Sequence, residues 1–299
     1  MRVSDRQRYE LANSRVGAAK SDNTAMLEQL STQKRINRLS DDPIGLGESL
    51  KRKTQIASAD QFLKNIDFSK GYIERTEGAL NGIQDFLIRA KELSVSMAND
   101  TYDANSRLAT AREVKEILEG VVALANSAYG NRYVFGGFRT MTPPVSRDGN
   151  FMGDDGAIFL QVDDGTFRQI NLQARNLFVP SADEREGGRL GMVHTLEILK
   201  QALETDDVEG IRRAMTELDF QMDKTSSYQA TLGSIYNGIE ETAKRLELNR
   251  EMVQENLSRI EDADVYRVTS DFKRTESVLQ STLLASNKLL QPSLMNFMQ

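Results

Sequence analysis

Read for chemistry, the chain offers few side chains that could act on a substrate or hold an ion. Its single histidine, His194, sits in a helical pattern beside Val193 and Leu196. A helical zinc site needs a second imidazole one turn away or a thiolate, and there are 0 Cys in the chain. His194 therefore reads as a surface or structural residue. The acidic pairs Asp154-Asp155-Gly156 and Asp163-Asp164-Gly165 could be imagined as calcium ligands or as acid/base partners. Neither matches the alternating Asp-x-Asp-x-Asp-Gly loop with its distal Glu, and both abut strand-like sequence, so they read as turns. Gly187-Gly188-Arg189-Leu190-Gly191 could offer backbone N–H groups to an anion at a helix start, but it lacks the Walker lysine and the GxGxxG spacing. It reads as a loop-to-helix joint. The expectation is a protein that is not an enzyme and has no catalytic, cofactor or metal site.

The elements that would carry such residues are mostly helical. The chain has 299 residues, 39% hydrophobic and 27% charged, with only 5 Pro and no Trp. That composition supports buried cores and favours helices. A net charge of −6 argues against general nucleic-acid binding. The opening Met1-Arg2-Val3-Ser4-Asp5-Arg6-Gln7-Arg8 lacks the apolar core of a cleavable signal, and no apolar run approaches a membrane span.

Along the chain, helical spacing predicts a first helix over about 4–38, ending at Leu39-Ser40-Asp41-Asp42-Pro43. Asp42 is suited to cap a second helix that starts at Pro43 and runs to about Ala98. After Asn99-Asp100-Thr101 a third helix carries Leu108, Ala111, Leu118, Val121 and Ala125, and it should pack antiparallel on the second. From Tyr133 to about Val179 the chain reads as short strands, with a hairpin of Ile158 to Val162 and Phe167 to Leu172 about Asp163-Asp164-Gly165-Thr166. Helices resume near Leu190 and from about Val208 to Ile260, and a last helix follows Glu261-Asp262-Ala263-Asp264.

Two stripes stand apart at coiled-coil spacing. One comprises Tyr9, Ala12, Val16, Ala19, Met26 and Leu30; the other steps through Leu232, Ile235, Ile239, Leu246, Val253 and Ile260, and the last helix continues with Val265, Val268, Phe272, Leu279 and Leu283. Ordering a tail of about forty residues costs more backbone entropy than burying about ten apolar side chains returns. Each tail should therefore be disordered alone and fold against neighbours.

The segment from Leu30-Ser31-Thr32-Gln33-Lys34-Arg35-Ile36-Asn37 to Asp41-Asp42-Pro43 resembles the N-terminal signature of the bacterial flagellin superfamily. The proline after the double aspartate, and Met1-Arg2-Val3-Ser4, are more similar to its hook-associated protein 3 branch, because flagellin usually has alanine at that proline. Arg89-Ala90-Lys91-Glu92-Leu93, the run Gly130-Asn131-Arg132-Tyr133-Val134-Phe135-Gly136-Gly137, Arg259 to Asp264, and the ending from Leu290-Gln291-Pro292 onward extend the resemblance.

The resemblance implies a mainly α, flagellin-like fold: a long helical bundle or coiled coil of N- and C-terminal helices with a small inserted β-domain. The expected layout is an assembly helix over 1–44, helical halves over 45–139 and 190–262, a β-rich insertion over 140–189, and a C-terminal assembly helix over 263–299. It further implies an extracellular structural protein of the hook-filament junction, exported without a cleaved signal. Its partners would be the other junction protein, flagellin, copies of itself in a ring and an export chaperone, with no nucleic acid and no membrane insertion. The assembly residues it points to are Ile36, Asn37, Asp41, Asp42 and Pro43 in the signature, and Phe272, Leu279, Leu283, Leu290 and Leu294 in the C-terminal seam. The competing readings are a flagellin filament subunit and, more distantly, a cytosolic coiled-coil regulator or an enzyme on a helical scaffold.

Overall fold

The computed structural model describes the backbone of residues 2–99 and 101–295, and the side chains of residues 6–99 and 101–288. Eight helices and four short strands occur among them: α1 (Arg2–Thr32), α2 (Pro43–Met97), α3 (Ala104–Ala125), β1 (Ala128–Tyr129), β2 (Arg132–Tyr133), β3 (Phe159–Asp163), β4 (Thr166–Gln169), α4 (Arg175–Phe178), α5 (Ala182–Glu186), α6 (Met192–Glu204), α7 (Val208–Glu261) and α8 (Val265–Met295). The fold is mainly helical with small antiparallel β insertions, as the sequence pattern requires. Aspartate starts four of the helices, its carboxylate accepting from a first-turn N–H: Asp42 from Gly45, Asp103 from Ser106, Asp207 from Gly210, and Asp264 from Tyr266 and Arg267.

The chain divides into two compact units, residues 59–247 and residues 1–58 with 248–299. The first has a continuous apolar core. In it α2 and α3 run antiparallel: Gly82 meets Leu124, Gly120 meets the Phe86 ring, and Arg89 pairs with Glu113 at 2.7 Å. The part of α7 in this unit is also antiparallel to α2, since Gln229 donates to Asn81 at 2.8 Å and Lys91 pairs with Asp219. The buried Arg107 of α3 donates to the carbonyls of Met97 and Asn99 and pairs with Asp206, so it satisfies orphan acceptors at the end of α2.

The β segments are smaller than the strand-like sequence suggests. β1 pairs only with β2 and β3 only with β4, about a turn in which Gly165 has φ +64. Residues 170–179 are not strand: Ile170, Leu172, Leu177 and Phe178 are buried, and α4 occupies Arg175–Phe178. Consecutive side chains at Ile170, Asn171 and Leu172, and again at Leu177 and Phe178, are buried, which a strand with one face in solvent does not allow. Asparagine side chains substitute for missing strand neighbours. Asn126 exchanges two bonds with the backbone of Val145, at 2.8 and 3.0 Å, and Asn171 bonds Ile158 N and Gly156 O.

Tyr72 ties this region to α2. Its hydroxyl donates to the Val134 carbonyl at 2.9 Å, and burial pushes its pKa up to about 12. Replacing it by phenylalanine leaves a buried carbonyl unpaired, which should cost about 1–2 kcal/mol. The thermal transition of Tyr72→Phe should therefore fall by about 2–8 °C, and an unchanged melting temperature would show that water reaches the Val134 carbonyl.

Candidate assembly interface

The second unit contains the signature segment and both tails. α1 ends earlier than its periodicity suggests, at Thr32 and not near 38, because Gln33 takes a left-handed φ of 56° and stops the helix. Residues 34–36 then run alongside the break between α7 and α8. Lys34 and Asp262 form an antiparallel bridge, Arg35 N donates to Glu261 O at 2.7 Å, and Ala263 N donates to Gln33 O at 2.9 Å. The Arg35 guanidinium adds a bond to Ile260 O at 2.9 Å.

At the centre of this joint is Glu261, only 5% exposed. One carboxylate oxygen accepts from both Lys34 and Lys53 at 2.7 Å, and the other accepts from the buried Ser49 at 3.2 Å. Burial by itself would raise its pKa, but the hydrogen bonds and charges of the two lysines outweigh that and hold it below the ordinary 4.5. The sequence reading did not single out this carboxylate. The available signal was an acid directly after the seam residue Ile260, at a helix end.

The signature residues form the wall of the same joint. Ile36 is buried. Asn37 donates its side-chain N–H to Lys34 O at 3.0 Å, and the backbone N–H groups of Asn37 and Arg38 both donate to Asp41 at 3.0 and 2.9 Å. Those backbone bonds lower the pKa of Asp41. Asp42 caps α2, with Pro43 as the first helical residue. Gly45 sits so close to this loop that a Cβ there would lie 2.7 Å from Ile36 Cδ1 and against the Asp42 carboxylate. The five signature positions thus come together as one bonded turn.

Beyond the joint, α1 and α8 pair along their length. The bond from Ala263 to Gln33 and that from Asn23 to Thr275, at 3.4 Å, fix an antiparallel register. In that register Leu30 faces Val268, Met26 faces Phe272, Ala19 faces Leu279, Val16 faces Thr282, and Ala12 faces Ser286. The layers are apolar beside the joint and become small and polar toward the chain ends. A groove of about 680 Å³ runs beside the thin end, bordered by Ala12, Ala19, Val278, Thr282 and Ser286. Leu279 is half-buried in the seam, whereas Leu283 lies outside it at 44% exposure, so one helix face does not hold both against α1. Leu290 and Leu294 are on α8, but their side chains lie outside the described residues. Leu11, Leu27, Val278, Leu283 and Leu284 leave large apolar side chains on the outside of the pair.

The residues weighed for chemistry are accounted for structurally. Asp154 accepts from Phe138 N and Gly156 N at 2.7 and 2.9 Å, Asp155 pairs with Arg175 at 3.0 Å, and Asp163 pairs with Arg245 at 2.8 Å. His194 is exposed and meets Glu197 at 3.3 Å. Among the described residues no group of three or more metal-ligating side chains converges, and no helix is long and apolar enough to cross a membrane.

Comparison with known proteins places these elements. The profile described as the bacterial flagellin N-terminal helical region matches residues 3–140, and that of the C-terminal helical region matches residues 215–298. The chain is similar to the flagellar filament 30.7 kDa core protein of Treponema maltophilum, 27% identical over 91% of this chain and 90% of that one. It is also similar to flagellar hook-associated protein 3 of Salmonella typhimurium, 25% identical over 94% and 95% of the two chains. Among solved structures, Bacillus cereus FlgL superposes with a TM-score of 0.60 at 24% identity, covering 70% of this chain and 99% of that one. That likeness concerns the fold.

The pH dependence of the joint follows from the sign of the Glu261 shift. A carboxylate whose folded pKa is depressed contributes its full stability above about pH 4.5 and loses it as pH falls through the lower folded value. Glu261→Ala should remove that acid-dependent contribution and cost about 1–3 kcal/mol, toward the low end because Lys34 and Lys53 can still reach water. Amide hydrogen exchange at Arg35 and Ala263 should accelerate in the variant while exchange in residues 59–247 is unchanged. Equal protection in the two proteins would show that the carboxylate does not hold the joint.

Proposed function

The chain belongs to the bacterial flagellin superfamily, a family of structural proteins of the flagellum, and we propose that it serves there as a hook-filament junction adaptor. In this reading copies form a ring between the other hook-associated junction protein and the flagellin filament. The protein is exported from the cytoplasm without a cleaved signal, escorted by a flagellar export chaperone. The tails over 1–44 and 263–299 are the assembly elements, disordered before assembly. The helical halves over 45–139 and 190–262 and the insertion over 140–189 belong to the body.

The observation that carries the assembly role is the gradient along α1 and α8. The pair is joined by large apolar side chains beside the Glu261 joint, then by mixed layers such as Ala19 with Leu279 and Val16 with Thr282, and last by Ala12 with Ser286, while leucines and valines remain exposed outside. Helices that do not bury their own apolar residues against each other have them available for other subunits. The junction role is supported by the near full-length alignment with the Salmonella hook-associated protein 3 and by Asp41-Asp42-Pro43 at the start of α2. A second reading, a filament subunit, is favoured by the similarity to the Treponema core protein.

Two experiments separate these readings. Cells lacking the protein should build hooks and shed unassembled filament subunits into the medium; filaments attached in normal number would eliminate the junction reading. Long filaments grown from the purified protein alone would favour the filament subunit. At residue level, Leu283→Lys should leave the melting of residues 59–247 unchanged and export intact, yet abolish filament attachment, because desolvating a charge between helices is costly. Normal filaments in this variant would remove Leu283 from the interface.

A further inference from the structure

Within residues 59–247 the β3–β4 hairpin turns one uncharged face to solvent. Its register sets Gln169 opposite Phe159 and Phe167 opposite Gln161, and residues directly across an antiparallel pair share a face, so these four side chains lie together. The two phenyl rings take diagonal positions and are 58% and 59% exposed. Among the described residues neither ring meets another ring or a cation. The other face of the hairpin is the one that meets the core, through the buried Val162 and the packed Leu160. A further exposed ring, Phe138, packs against Gly156, three residues before Phe159.

The face is held in place from behind and at its ends. Asn65 of α2 donates to Gln161 O at 2.8 Å, Asp163 pairs with Arg245 of α7 at 2.8 Å, and the Asn171 side chain accepts from Ile158 N at 2.7 Å. Both glutamine amides are tied as well: Gln161 Nε2 donates to Asp163 O at 3.2 Å, and Gln169 Nε2 to Asn171 O at 2.8 Å. Each amide thereby gives a donor to the backbone, while among the described residues no protein group donates to either Oε1. Two uncovered rings and two free acceptors therefore share one rigid surface.

We infer that this face binds a saccharide. The C–H bonds of a pyranose carry partial positive charge that suits the negative face of a phenyl ring, and its hydroxyls can donate to Gln161 and Gln169 Oε1. A wholly apolar occupant would bury both acceptors unpaired, which is costly. An anionic ligand finds no cation among the four side chains. Phe138 adds a ring beside the hairpin, which suits a chain of sugars better than a single one. The site uses none of the tail residues, so it stands independently of the assembly role.

Cellotetraose titrated into the isotopically labelled full-length protein provides the test, with glycerol at matched hydroxyl concentration as the comparison. Expected are saturable shifts of the Leu160 and Arg168 amides with an affinity of order 1 mM, as suits an open face, and unsaturating shifts with glycerol. Phe167→Leu keeps apolar bulk and removes the ring, so it should weaken cellotetraose about fivefold with the melting temperature unchanged, and Phe159→Leu should do the same. If one of these variants does not fold, the other carries the comparison. Absence of saturable shifts up to about 20 mM, leucine variants that bind as tightly as the parent, or saturation of the same amides by glycerol would overturn the inference.

Discussion

A carboxylate removed from water must be met by charge and hydrogen bonds, and the organisation of the second unit follows from that requirement at Glu261. Lys34 comes from the turn after α1, Lys53 and Ser49 from α2, and the acid itself from the last residue of α7. Two neighbouring segments near the start of the chain are thereby held to a third more than two hundred residues on. A buried ion pair is weak as a source of net stability, but removing one partner is costly, so such a group selects an arrangement more than it strengthens it. Here the selected arrangement is the position at which α8 leaves α7 beside the end of α1. The backbone bridge between residues 34 and 262 completes the same selection without side chains.

Much of this was legible in the sequence, for reasons that differ by element. Asp42-Pro43 declares the start of α2 because capping and a fixed φ are local properties, and the structure has that start. Stripe positions such as Ala111, Val121 and Ala125 on α3 and Leu232, Ile239 and Leu246 on α7 are buried because a long helix repeats its environment, but Leu108 is 43% exposed and Arg107 takes the buried place beside it. The end of α1 was misplaced because nothing in the residue type of Gln33 announces a left-handed backbone; the tertiary bridge to residues 261–263 accompanies it. Residues 170–179 looked like strand because Ile170, Leu172 and Leu177 are apolar at short spacing, yet they enter a core that surrounds them.

The candidate site divides along the same line. Ile36, Asn37, Asp41, Asp42 and Pro43 were recognisable as a motif, whereas their physical role, a self-bonded turn next to the Lys34 and Arg35 contacts with Glu261, depends on tertiary bonds that no local pattern contains. The tail seams were recognisable as stripes, but the division of Leu279 from Leu283 depends on register, which no single-helix pattern contains. Of the carboxylate pairs, Asp163-Asp164-Gly165 is the turn between β3 and β4, because a glycine after an acid beside a strand is a local instruction, whereas Asp154-Asp155-Gly156 lies in irregular chain held by the Asp154 bonds to Phe138 N and Gly156 N.

The spacing of the α1–α8 seam has a mechanical consequence. Its layers alternate four and three residues on both helices, through positions 12, 16, 19, 23, 26 and 30 on one and 268, 272, 275, 279, 282 and 286 on the other. An average of 3.5 residues per turn lies below the natural period of the α-helix, so keeping the layers in contact winds the two helices about each other in a left-handed sense. A pair wound in one hand responds unequally to torque about its axis: twist in the sense of the supercoil tightens the layers, and twist against it opens them. The alanine and serine layers at the thin end have the least to resist that opening, so an untwisting torque would part the pair there first.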